Sequence, residues 1–285
     1  MTYAFKNILL PVDFTFNTQV AVKKAIELVE PEAAVIHLLH IMKPVYRFSL
    51  NSFRLQLSDA PADEHYEEAV RKLQQWKRII EETIVPVQIQ AEVQFDSDIN
   101  SAVIKKAKTV QPDLIIVGEH TQPGGFYFKR KIAPAKIALQ TGTPLLILKP
   151  GCIYNKVKTV VVPVAGFKPE RKIEMLIALK RKFRIRVHLV TILDNRDADN
   201  DFSSQALLET YRMLKDNLRF PVEYQVLHGN NRAKATLQYA QSIGADMVLV
   251  NPETETKVTT FTRRHINDIL LPESRLQILE VEPKK

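Results

Sequence analysis

The sequence predicts an α/β protein built from two tandem, doubly wound five-stranded parallel sheets, one in each half of the 285-residue chain. Three observations carry that expectation. Short stretches of the first half recur in the second, which is the mark of internal duplication. The strand candidates are continuous Val/Ile/Leu runs, as in a parallel sheet covered on both faces. Between them lie helical patterns, and alternating strand and helix with right-handed crossovers gives a doubly wound sheet.

The repeats are local but ordered. K-N-I-L-L-P-V-D-F at Lys6–Phe14 returns as K-T-V-V-V-P-V-A-G-F at Lys158–Phe167. P-D-L-I-I-V-G at Pro112–Gly118 returns as A-D-M-V-L-V-N at Ala245–Asn251, and Thr143–Pro150 corresponds loosely to Arg275–Pro283. The boundary falls in K-P-G-C-I-Y-N-K, dividing the chain into residues 1–150 and 151–285.

In the first half, Ile8–Val12 reads as a strand and Thr18–Val29 as an amphipathic helix with Val22, Ala25, Ile26 and Val29 on one face. Strand Ala33–Ile41 follows, then a Pro-containing loop, then a long helix over Asp63–Thr83. Strand Val87–Val93, helix Ile99–Thr109, strand Leu114–Val117, helix Arg130–Gln140 and strand Leu145–Leu148 complete the half. The second half repeats the plan with strands Val157–Val162, Val187–Ile192, Val222–Leu227, Met247–Val250 and Leu276–Val281.

Composition narrows the function. Glycine is scarce: eight residues, about 3% against a usual ~7%. Few positions therefore let the backbone approach a phosphate closely. One cysteine, Cys152, excludes an internal disulfide framework and a multi-cysteine zinc site. No apolar run reaches the ~20 residues of a membrane span and the start lacks a secretory pattern, so the expectation is a cytoplasmic protein. Net charge is +8, with a basic cluster over Lys168–Arg186. That cluster offers a surface for an anionic partner such as nucleic acid, or a solvated helix end.

Ligands of doubly wound sheets sit beyond the carboxyl ends of the strands, where strand order reverses. Here those are the loops after Val12 and Val117. At these loops I-L-L-P-V-D-F-T, P-D-L-I-I-V-G and T-P-L-L-I-L together resemble the universal stress protein family in tandem form. The resemblance implies a Rossmann-like sheet of the adenine-nucleotide alpha hydrolase type. It also implies that the halves pair about a pseudo-twofold axis through their last strands, protecting edges otherwise open.

In nucleotide-binding members of that family an acid ends the first strand, and a loop G-x2-G-x9-G-[ST] cradles ribose and phosphates. Asp13 matches the acid and Gly118 the first glycine, but the other loop positions fall at Thr121, Lys131 and Ile132. In the second half Ala165 stands at the acid and Asn251 at the first glycine, and no glycine follows Gly244. The resemblance thus leaves ATP to the first half alone. Candidate ligand-binding residues are Pro11, Val12, Asp13, Gly118, Glu119, His120, Gly124, Gly125, Lys129 and Lys131, with Phe126, Tyr127 and Phe128 beside them. Lys129–Lys131 would open the following helix, where the dipole disfavours cations unless an anion offsets them.

No catalytic or metal residues are indicated. His37 and His40, three apart on a strand, point to opposite faces and make no metal pair. Three functions stay open: a non-catalytic stress-response factor binding a protein or small ligand, an adenine-nucleotide binder or slow ATPase using the first half, and a nucleic-acid binder. A homodimer is a further alternative.

Overall fold

The computed structural model describes the chain except residues 1–2, 31, 45, 50–53, 58–63, 83–85, 120–131, 194–199, 259–263 and 284–285. The first half runs β1 (Asn7–Val12), α1 (Phe16–Leu28), β2 (Ala34–Met42), β3 (Tyr46–Ser49), β4 (Arg54–Leu57), α2 (Glu64–Glu81), β5 (Val87–Phe95), α3 (Ile99–Val110), β6 (Leu114–Gly118), α4 (Pro134–Thr141) and β7 (Leu145–Leu148). The second runs β8 (Thr159–Pro163), α5 (Glu170–Lys182), β9 (Arg186–Leu193), α6 (Asn200–Arg212), β10 (Val222–His228), α7 (Arg232–Ser242), β11 (Met247–Val250), α8 (Ile266–Ile269) and β12 (Gln277–Glu280).

Ten strands form one sheet in the order β10-β9-β8-β11-β12-β7-β6-β1-β2-β5. Within each half every described pairing of this sheet is parallel and strand order reverses beside the first strand. The halves join where β12 runs antiparallel to β7, with Leu279 opposite Leu146. This is the predicted pairing through the last strands. Apolar layers fill both faces of the sheet, and Leu10, Ile36, Val160 and Leu249 lie in one, Leu9, Ile115, Val161 and Val248 in the other.

The repeated Asp explains part of the repeated motif. Asp113 Oδ2 accepts from the Lys6 and Asn7 amides at 2.9 and 2.8 Å, tying the start of β1 to that of β6. Asp246 does the same for Lys158 and Thr159 at 2.8 and 2.9 Å. Each aspartate satisfies two amides at a strand start that would otherwise lack partners.

Three expectations need correction. The Pro-containing loop carries a hairpin, β3 antiparallel to β4, which forms a separate two-stranded sheet. The helix expected from Arg130 begins at Pro134, because proline suits a first helical position, where its missing N–H has no intrahelical role. Lys129–Lys131 therefore do not open it. Continuous burial holds for the central strands only; edge strand β5 largely alternates between covered and exposed positions, and β10 has no fully buried residue.

Beyond the strand junction, the basic cluster helps hold the halves together. Arg181 meets Glu30 at 3.0 Å, and Lys182 donates to the Val29 carbonyl at 2.6 Å. Lys180 is bonded to the Leu218 and Arg219 carbonyls. Gly151, in the connecting segment, lies so close to the Glu273 carbonyl that a Cβ there would stand 2.2 Å from its oxygen. Beside it Cys152 is fully buried, and burial pushes its thiol pKa up, away from nucleophilic use.

Candidate functional site: two crevices at the strand ends

Backbone register opens a crevice in each half. β1 stays paired with β2 as far as Val12 and His40, but pairs with β6 only at Ile8 and Leu9. The Asn7 carbonyl accepts from Asp113 and that of Lys6 from Val35, so odd-numbered residues of β1 face β6. The ring nitrogen of Pro11 thus points to the side where the ladder has already ended, so its missing N–H breaks no pairing there. In the second half β8 pairs with β11 only at Val160 and Val161, and Pro163 repeats the position of Pro11.

In the first crevice Asp13 is exposed at the end of β1. Its Oδ1 accepts from the Thr15 amide (3.0 Å), the Thr15 hydroxyl (2.6 Å) and the Thr18 hydroxyl (2.8 Å). Thr15 is itself the N-cap of α1, so Asp13 steadies the helix start and brings negative charge to its positive end. Phe14 makes the turn with a left-handed φ of 60°, a strained value for a side-chain-bearing residue. Its ring packs on His40 at 4.3 Å between centroids. His40 Nδ1 lies 2.8 Å from the Val12 carbonyl, so that nitrogen carries the proton and donates. Burial, the largest cause, lowers the His40 pKa and keeps the ring neutral near pH 7.

Gly118 closes the other wall for a reason of packing. A Cβ there would lie 2.2 Å from the Asn17 carbonyl oxygen in the first turn of α1. Glu119 turns away from the crevice into the junction between the halves. Asn267 Nδ2 donates to its Oε1 at 2.8 Å, and Lys149 Nζ stands 3.1 Å from Oε2, outside hydrogen-bond alignment. Glu280 lies in the same buried junction. Burial first, then the charges of Glu119 and Glu253, push its pKa up to about 8, so it is protonated at neutral pH. Pro11 and Val12 line the strand end, while His120, Gly124, Gly125, Phe126, Tyr127, Phe128, Lys129 and Lys131 lie outside the described residues.

The chain itself occupies the second crevice in part, leaving a cavity of about 90 Å³ between the start of α5 and Asn251. From the repeated proline, α5 starts seven residues on at Glu170, whereas α1 starts five residues on at Phe16. The longer turn uses Gly166 at φ 63° where the first half strains Phe14. Lys172, 2% exposed, reaches back to donate to the Pro163 carbonyl at 2.8 Å and to Glu255 Oε2 at 2.5 Å. The same carboxylate oxygen accepts from the Asn251 amide at 2.7 Å. Burial is the main cause that lowers the Lys172 pKa, and Glu255 opposes it. A strand-end amide plus an ammonium is what an anion site offers, and here a carboxylate of the protein occupies it.

Sequence reasoning missed this pair. Lys172 lies within the basic Lys168–Arg186 cluster, and Glu255 sits in P-E-T-E-T-K, where nothing in spacing marks a buried acid. For Thr15, Thr18 and Phe14 a signal exists, because the D-F-T-F-N-T run carries an N-cap pattern. Among the described residues no group of three His, Cys, Asp or Glu could hold a metal ion, and no helix is long and apolar enough to cross a membrane.

The model of the "Universal stress protein family" matches residues 4–146. Across the whole chain the fold is similar to a universal stress protein from Archaeoglobus fulgidus DSM 4304, with a TM-score of 0.65, 15% identity, and coverage of 100% of this chain and 99% of that one. A functionally unknown protein from Pseudomonas aeruginosa PAO1 is similar at TM-score 0.59 and 14% identity, covering 99% and 94%. No curated protein matches the sequence.

Proposed function

The chain belongs to the universal stress protein family, and from that premise we propose that it is a tandem, non-catalytic stress-response factor that acts by binding a protein or small ligand. One observation carries the reading: the anion position of the second crevice is taken by Glu255, bonded to Lys172 and the Asn251 amide. A phosphate there would displace a buried carboxylate and leave it unpaired, which is strongly unfavourable. In the first half the glycine at the loop start is accounted for by the Asn17 carbonyl rather than by a phosphate. Asp13, Thr15, Thr18 and neutral His40 supply acceptors and donors suited to binding, and both threonine hydroxyls are engaged by Asp13 Oδ1.

A second reading keeps ATP in the first half, and the exposed Asp13 at the strand end favours it. Calorimetry of the full chain with ATP and Mg²⁺ separates the two. The leading reading expects no micromolar binding and no nucleotide released on denaturing the purified protein. Micromolar binding that Asp13→Ala abolishes would replace it with the second.

A further inference from the structure

Strand β5 closes one end of the ten-stranded sheet, and its outer side has no described partner strand. Nine residues, Val87–Phe95, pair without interruption to β2 on the inner side, so the edge carries no bulge. It contains no proline and no lysine, and its single charge, Glu92, is paired with Lys106. Edge strands of proteins that stay apart are usually short, bulged, proline-bearing or charged. Of these devices β5 has only the one charge, Glu92. A groove of about 420 Å³ runs beside the strand, lined among others by His37, Gln74, Lys77, Gln90 and Lys106. Ile79 and Phe95 are each 47% exposed.

The orientation of the free backbone groups follows from one bond. The Asp96 amide donates to the Met42 carbonyl, so even-numbered residues of the unbulged strand face β2 and odd-numbered ones face outward. Ile89, Ala91 and Val93 therefore present their N–H and C=O groups to the open edge.

We propose that a second copy of this chain occupies that edge, with β5 pairing antiparallel to its symmetry mate about Ala91. That register pairs all nine residues of both strands. It sets Val87 against Phe95 and Ile89 against Val93 on the apolar face, and Gln88 against Gln94 and Gln90 against Glu92 on the polar face. Glu92 never meets itself, and Ala91, the smallest side chain of the strand, lies on the twofold axis. The chain already uses this manner of joining once, at β7 and β12. A closed twofold contact also stops at two copies, whereas β5 against the far edge β10 would propagate into filaments.

Sedimentation velocity over a wide protein concentration range, on the full chain, tests the proposal. The wild type is expected to dimerise. Gln90 is exposed and faces Glu92 of the mate twice per dimer, in the pairs whose side chains lie closest. Gln90→Lys should tighten the dimer and Gln90→Glu weaken it, each by roughly threefold to thirtyfold. Both variants lose the same amide beside His37, so opposite signs cannot come from that loss. Ala91→Pro removes an outward N–H without touching the β2 ladder and should give a monomer with an unchanged circular dichroism spectrum. A monomeric wild type, or a dimer that all three variants leave unchanged or shift in one direction, overturns the proposal.

Discussion

The two crevices occupy equivalent places, each opened by a strand that outruns its neighbour and each marked by a proline, yet they are finished by opposite means. In the first, the helix starts early and its backbone presses on Gly118, while Asp13 stays at the surface and holds the capping Thr15 and Thr18. In the second, two more residues delay the helix, Asn251 replaces the glycine, and a buried Lys172–Glu255 pair takes part of the space. The same sheet thus supports one exposed polar site and one whose strand-end amide is taken by its own buried side chain. The length of one turn accompanies the difference.

The buried ion pair of the second crevice is the easiest to break. Lys172→Met leaves the Glu255 carboxylate buried without its cation, and a loss of about 3–5 kcal/mol is expected in denaturant unfolding. Replacing the exposed first-half acid, Asp13→Ala, should cost only about 1 kcal/mol, as for a lost cap. Equal losses would remove the contrast between a partly filled and an open crevice.

The junction between the halves supplies the next effect. Glu280 has a folded pKa raised to about 8 against an ordinary value of 4.5. Between those values the folded state holds a proton that the unfolded state has released, so stability falls as pH rises through this window. Below 4.5 the group is protonated in both states and imposes no such loss; above about 8 the loss is complete. The slope is about 1.4 kcal/mol per pH unit from this one group. Glu280→Gln should flatten that part of the profile and stabilise the protein by about 3 kcal/mol or slightly more at pH 7, read from urea midpoints at several pH values. An unchanged slope would mean that the carboxyl is not held neutral.

The smallest effect concerns the two loop-start residues. Gly118→Ala pushes a Cβ into the Asn17 carbonyl and should cost about 1–3 kcal/mol through forced backbone shifts. Asn251→Ala, at the equivalent position, keeps the amide that bonds Glu255 and should cost less than about 1 kcal/mol. The ratio, taken from thermal unfolding of the two variants, sharpens the claim that packing requires glycine in the first half only.

Periodicity, repeats and turn chemistry were enough to read the duplicated sheet and its strand ends, whereas the joining of the last strands was implied by the family resemblance alone. The sheet and its strand ends follow from local pattern and from the need to bury every apolar run. Asp13 was legible as a strand-end acid, because the acid follows directly on an apolar strand. Glu119 was read as a loop candidate and proved to belong to the junction, since nothing local says which way a side chain turns after the strand ends. Lys172 and Glu255 lie 83 residues apart and look like ordinary surface charges. Their burial depends on where the turn after β8 places α5, and Glu280 becomes neutral only once β12 is sealed against β7. Chain pattern alone therefore determined the sheets and where they open. What fills each opening was decided by the tertiary structure, because desolvation and charge pairing act between residues that only folding brings together.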